Sequence, residues 1–111
     1  MSYNVKTLSV FEKNLKKLAK KYPSIKSDFL ELLDSLEINP SQGTALGNNT
    51  FKVRMKITSK NKGKSGGARV ITNIYVQKET VFLLTIYDKS EESTISDKEI
   101  LELVKLIDTE F

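Results

Sequence analysis

Eight cations, Lys52, Arg54, Lys56, Lys60, Lys62, Lys64, Arg69 and Lys78, fall between Glu37 and Glu79 with no Asp or Glu among them. The last 21 residues reverse the balance. Glu91, Glu92, Asp97, Glu99, Glu102, Asp108 and Glu110 there face only Lys98 and Lys105. Charge segregated in this way creates a local positive field suited to a polyanion. The groups available for chemistry are few, because the chain has neither histidine nor cysteine. That excludes Ser-His-Asp and Cys-His catalysis. It removes the usual ligands of a transition-metal site and any disulfide framework. An enzyme made from this chain must work with Lys, Arg, Tyr, Asp or Glu, and no cofactor is expected.

The spacing of the cations says how they are presented. In Phe51–Ile57, the apolar Phe51, Val53, Met55 and Ile57 alternate with Lys52, Arg54 and Lys56. A period of two is the pattern of a half-buried strand, with the cations on one face. On the next strand, residues 68–77, Val70, Ile74 and Val76 read as core, which leaves Arg69, Asn73 and Tyr75 on the other face. On residues 80–87, Phe82, Leu84 and Ile86 read as core, with Thr85 and Tyr87 opposite. One sheet face would then carry Arg54, Lys56, Arg69 and Tyr87. Lys60, Lys62, Lys64 and Lys89 would lie in loops at its margin. Lys and Arg neutralise phosphates, and Tyr can stack on a base or exchange a proton. Preorganised cations also stabilise the charge that gathers on a pentavalent phosphorane. RNA brings its own nucleophile, the 2′-hydroxyl.

The elements that must position these groups follow from periodicity. Tyr3–Leu8 reads as a short strand. A helix starts at Ser9, with Ser9 and Glu12 as a capping box and Phe11, Leu15, Leu18 and Tyr22 as its stripe. Pro23 breaks it. A second helix spans residues 24–36 on Ile25, Phe29, Leu32, Leu33 and Leu36, with Asp28, Glu31, Asp34 and Glu37 on its exposed side. Residues 39–49 read as a loop, rich in Pro, Gly and Asn. Three strands joined as hairpins follow, and Ser96 with Glu99 caps a last helix carrying Ile100, Leu103, Val104 and Ile107. The order β-α-α-β-β-β-α in 111 residues predicts one α+β domain, with the helical hairpin on one face of an antiparallel sheet and the other face open. No run of apolar residues is long enough for a membrane span. The N-terminus lacks an export signal, so the cytoplasm is expected.

Each feature also has a plainer reading. A Lys/Arg row on a half-buried strand serves as the solvated side of a sheet. Gly63, Gly66 and Gly67 serve a hairpin loop, and they lack the spacing of a P-loop. The lysines from Lys13 to Lys21 form a solvated helix face. Tyr75 and Tyr87 can be edge-of-core aromatics, and Asp88 can anchor a turn.

The succession S-V-F-E-K-N-L-K-K-L-A-K-K-Y-P-S-I, F-K-V-R-M-K-I, G-K-S-G-G-A-R-V-I, L-L-T-I-Y-D-K-S-E and S-D-K-E-I-L-E-L resembles the RelE/HigB branch of type II toxin–antitoxin toxins, over nearly the whole chain. K-S-G-G-A-R-V-I and I-Y-D-K-S are its most specific parts. The resemblance implies a RelE-like fold and a ribosome-dependent endoribonuclease that cleaves translated mRNA. It implies a cognate antitoxin as partner, with operator DNA bound only through that antitoxin. By the same resemblance Arg69 matches a phosphate-binding arginine and Lys89 a second basic catalytic group. Arg54 and Lys56 match a basic strand, and Tyr87 an aromatic or proton-transfer residue. Lys52, Lys60, Lys62, Lys64, Asn73 and Tyr75 are then expected to hold RNA. No general base is identified, and the chain departs from the histidine-bearing branches of the superfamily. A ParE-like gyrase-inhibiting toxin and an inactive, antitoxin-binding paralogue share the fold and stand as alternatives.

Overall fold

The computed structural model describes residues 3–60, 66–91 and 94–111. Among them the elements run β1 (Asn4–Thr7), α1 (Ser9–Lys21), α2 (Ile25–Ile38), β2 (Thr44–Gly47), β3 (Thr50–Met55), β4 (Ala68–Tyr75), β5 (Thr80–Asp88) and α3 (Asp97–Glu110). The strands form one sheet in the order β1-β5-β4-β3-β2. The expected antiparallel arrangement holds from β2 to β5. β1 joins the far side in parallel, Val5 opposite Val81, so the whole sheet is mixed.

The helical hairpin packs on one face. Phe11, Leu18, Ile25, Leu32 and Leu36 meet Val53, Met55, Val70, Val81, Leu83 and Ile86 there. The capping box expected at Ser9 does not form. Leu8 caps α1 without a side-chain bond, and the Glu12 carboxylate accepts from Thr7 Oγ1 instead. The carboxylate at the start of α1 comes from the far end of the chain: Ser9 N and Oγ donate to Glu110 at 2.8 and 3.0 Å. An anion at a helix N-terminus is favoured by the exposed amides there. At Ser96 the N-cap itself forms, with Glu99 N donating to Ser96 Oγ at 3.1 Å, and Glu99 Oε1 accepts from the Ser96 hydroxyl at 3.2 Å.

Four further features of the fold depart from expectation. The stretch read as a loop contains β2, an edge strand with every residue exposed, and so without apolar alternation to betray it. Asn48 and Asn49 at φ 53° and 59° turn it back into β3, as a two-residue hairpin with both central residues left-handed requires. Second, the β4–β5 ladder slips by one residue between Ile71–Thr85 and Thr72–Leu83. The slip reverses the side-chain phase of β5. Phe82 and Leu84, expected against the helical hairpin, therefore join Ile71 on the opposite face. Third, that face is not open. α3 lies on it, packing Leu103, Val104 and Ile107 over Ile71, Phe82, Leu84 and Tyr87. Fourth, Val76, expected in the core, follows the end of β4 in a short 3₁₀ turn and is exposed.

Candidate active site

The candidate side chains gather at the end of the sheet where β3 and β5 stop and β4 begins. Arg54 stands opposite Arg69 in the β3–β4 ladder, and Arg69 opposite Tyr87 in the β4–β5 ladder. The three form one row across the sheet. Arg54 is exposed, whereas Arg69 is only 3% exposed and Tyr87 7%. Burial, reinforced by the neighbouring Arg54 charge, lowers the pKa of Arg69, and Tyr87 acts the other way. Arginine still stays cationic at such a site. Its Nη1 donates to the Ala68 carbonyl at 3.1 Å. Two like charges thus stand directly opposite one another in the ladder, an arrangement that costs a sheet stability.

Lys52 lies two residues before Arg54 on β3 and so on its face, and Lys56 two residues after it, just past the end of the strand at Met55. Lys52 is half-buried and Lys56 exposed. Arg54 and Lys56 also border a cleft whose other wall carries Asp28 and Glu31 of α2. Lys89 is exposed just past β5, and its amide donates to the Gly67 carbonyl at 3.1 Å. This rung extends the β4–β5 pairing beyond the strand, two residues on from Tyr87. Gly67 is required by close approach. A Cβ there would lie 2.2 Å from the Met55 carbonyl oxygen and 3.0 Å from Ile57 N. Gly67→Ala is expected to reduce stability by about 1–3 kcal/mol through overpacking, read as a lower urea midpoint at unchanged m-value.

The remaining candidates are placed differently from one another. Lys60, expected in a mobile loop, has a side chain only 9% exposed, bound to Asp88 Oδ1 at 2.8 Å. It lies 5.3 Å from the centre of the Tyr22 ring. Asn73 is buried and donates to Asn48 O and Thr50 Oγ1, both at 3.2 Å, which braces the β2–β3 turn. Tyr75 is half-buried, edge-on to Phe82 at 6.4 Å, with Lys78 over its ring. The structure thus commits Lys60 and Asn73 to internal contacts. Lys62 and Lys64 lie outside the described residues.

Among the described residues two carboxylates are buried, Asp28, read as exposed, and Asp88, read as a turn anchor. Asp28, expected on the exposed side of α2, is buried. It accepts from Thr58 N at 2.9 Å, Thr58 Oγ1 at 2.5 Å and Ser24 Oγ at 2.8 Å. Desolvation opposes its charge, but these bonds and the Lys56 charge outweigh it and lower its pKa. Its position was the available signal: 28 falls between Ile25 and Leu32 on the apolar stripe. Asp88 accepts from Tyr22, Lys60 and Ser90. Those bonds overcome desolvation and hold it ionised far below the ordinary carboxylate range.

With this geometry in place, comparison with known proteins is decisive. Residues 8–110 match the family described as the RelE toxin of the RelE/RelB toxin–antitoxin system. The chain belongs to the RelE toxin family. Solved structures agree on the fold. A mutant of the Escherichia coli toxin RelE in the free state superposes with a TM-score of 0.62 at 17% identity, covering 96% of this chain and 99% of that one. The RelBE2 toxin–antitoxin complex from Mycobacterium tuberculosis gives 0.58 at 19% identity, over 79% and 92% of the two chains. The archaeal RelE–RelB complex from Pyrococcus horikoshii gives 0.54 at 22%, over 80% and 97%. This RelE-family toxin has no helix, among its described residues, long and apolar enough to cross a membrane.

Proposed function

We propose that this RelE-family toxin is an mRNA interferase that cleaves translated mRNA on the ribosome without a metal. The observation that carries this reading is the cross-strand row in which buried Arg69 stands between Arg54 and Tyr87. Arg69 and Arg54 would hold the scissile phosphate. The 2′-hydroxyl gives up its proton to solvent and attacks phosphorus, the bond to the 5′-oxygen breaks, that oxygen takes a proton, and a 2′,3′-cyclic phosphate and a 5′-hydroxyl result. Negative charge on the phosphorane exceeds that of the ground state, so the two arginines accelerate the step rather than only bind. Lys56 and Lys89, both exposed, would neutralise further charge or protonate the leaving oxygen. Tyr87 is too buried to offer a full ring face to a base, so its phenol would act as a wall beside Arg69. Lys52, Lys62 and Lys64 would hold the RNA backbone.

The partners implied are the ribosome with its mRNA and a cognate antitoxin, with operator DNA reached only through the antitoxin. Two of the solved relatives are themselves toxin–antitoxin complexes, which supports the antitoxin. All of this would take place in the cytoplasm. The test is to add purified toxin to ribosomes programmed with a defined message and map the RNA ends. Cleavage within the translated frame, leaving cyclic phosphate termini, is expected. Intact message with gyrase-dependent DNA breaks would instead mark a gyrase-directed toxin, and neither product would mark a chain that only binds antitoxin.

A further inference from the structure

Asp88 makes more bonds than a turn needs. An Asp that merely closes a turn needs one bond to the backbone two residues on, and Asp88 has that bond, from Ser90 N at 3.0 Å. Its Oδ1 also accepts from Ser90 Oγ and Lys60 Nζ, both at 2.8 Å. Its Oδ2 accepts from the Tyr22 hydroxyl at 2.6 Å, with Lys21 Nζ 4.0 Å behind. The side chain is fully buried. Three segments thus meet on one carboxylate: the end of α1, the turn at Thr58–Lys60, and the turn closed by Glu91 N on the Asp88 carbonyl at 3.1 Å.

Lys89 lies between two of these fixed points. Its own amide is held by the Gly67 carbonyl, and the next residue is held by Asp88. Lys89 is itself exposed. A lysine ammonium sits on a flexible four-carbon stem, so its placement depends on how firmly its backbone is fixed. The network also adds no uncompensated anion near the phosphate, because Lys60 neutralises Asp88 within the protein.

We propose that Asp88 is a positioning residue of the cleavage site, fixing the backbone on both sides of Lys89 so that its ammonium meets the phosphate held by Arg54 and Arg69. The inference rests on the RNA-cleaving reading above. It is tested by a double-mutant cycle of Asp88→Asn and Lys89→Ala. Single-turnover cleavage is followed on programmed ribosomes with toxin in excess, and folding is checked by the thermal midpoint. Asp88→Asn is expected to slow cleavage at saturation by roughly tenfold with little change in half-saturation. In the Lys89→Ala background the same substitution should cost less than about twofold, since the residue it acts through is gone. Tyr22→Phe removes one bond from the network, should behave likewise with a smaller effect, and decides the matter if Asp88→Asn does not fold. Equal costs in both backgrounds, or no cost in either, overturn the positioning role while leaving the cleavage reading intact. An intact message with the wild-type toxin overturns both together.

Discussion

Arg69→Met is expected to lower the single-turnover rate of mRNA cleavage by about 10²–10³-fold, the loss that follows removal of one preorganised group from a developing oxyanion. A single cooperative thermal transition should remain, because methionine keeps most of the aliphatic volume of this buried side chain. Loss of activity with a retained fold is the mark of a residue present for function. Arg69→Lys should recover only part of the rate, because an ammonium cannot offer two parallel donors to phosphate oxygens. Cleavage by Arg69→Met within a few-fold of wild type would show that the phosphate binds elsewhere.

A large effect on stability outside the apolar core is expected at Asp28. Asp28→Ala should cost about 1–3 kcal/mol, because it removes the buried carboxylate that accepts from Thr58 N, Thr58 Oγ1 and Ser24 Oγ. The pH dependence has a definite sign. The folded-state pKa of Asp28 is lowered, below an unfolded value of about 3.9. Its contribution is therefore present in full above the unfolded pKa and disappears as pH falls through the lowered folded value. Wild type should lose this increment progressively below about pH 4. Asp28→Ala should show a flatter stability profile there, measured by urea titration at a series of pH values. Equal acid slopes in the two proteins would mean that Asp28 carries no such linkage. Cleavage should change less than stability, because Asp28 fixes the turn that follows β3 and not the Arg54–Arg69 row itself.

Much of this arrangement was legible in the residues. The alternation in Phe51–Ile57 correctly put Arg54 on the face away from the hairpin, and the 3.6-residue stripes located all three helices. Arg69 and Tyr87 fall on one face because each adjoins a residue that faces the hairpin, Val70 and Ile86, on the side of the slip nearer the strand ends. The failures have separate physical causes. The slip in the β4–β5 ladder inverted the phase of Phe82 and Leu84, and a bulge leaves no mark in a run as uniformly apolar as T-V-F-L-L-T-I-Y. β2 packs no face on the core, so nothing alternates in it; only Asn48-Asn49 offered a hairpin signal. Lys60 and Asp28 misled because a charged residue reads as exposed until its partner is known. Their partners, Asp88 and Thr58, are 28 and 30 residues away.

The parallel pairing of β1 with β5 sets an order of events for a chain emerging from a ribosome. Strands β2 to β5 follow one another in sequence, separated by two, twelve and four residues, and each pairs with the one made before it. β1 is made first, yet its partner strand begins 76 positions later, at Thr80 opposite Asn4. Contacts so far apart in sequence form late and slowly. The Arg54–Arg69–Tyr87 row belongs entirely to the strands that pair early. The bond that closes the start of α1 waits for Glu110, 101 residues after Ser9. The cationic row is therefore assembled while the scaffold behind it is still incomplete, and docking of the first-made strand and helix is the step that turns a nascent meander into a finished protein.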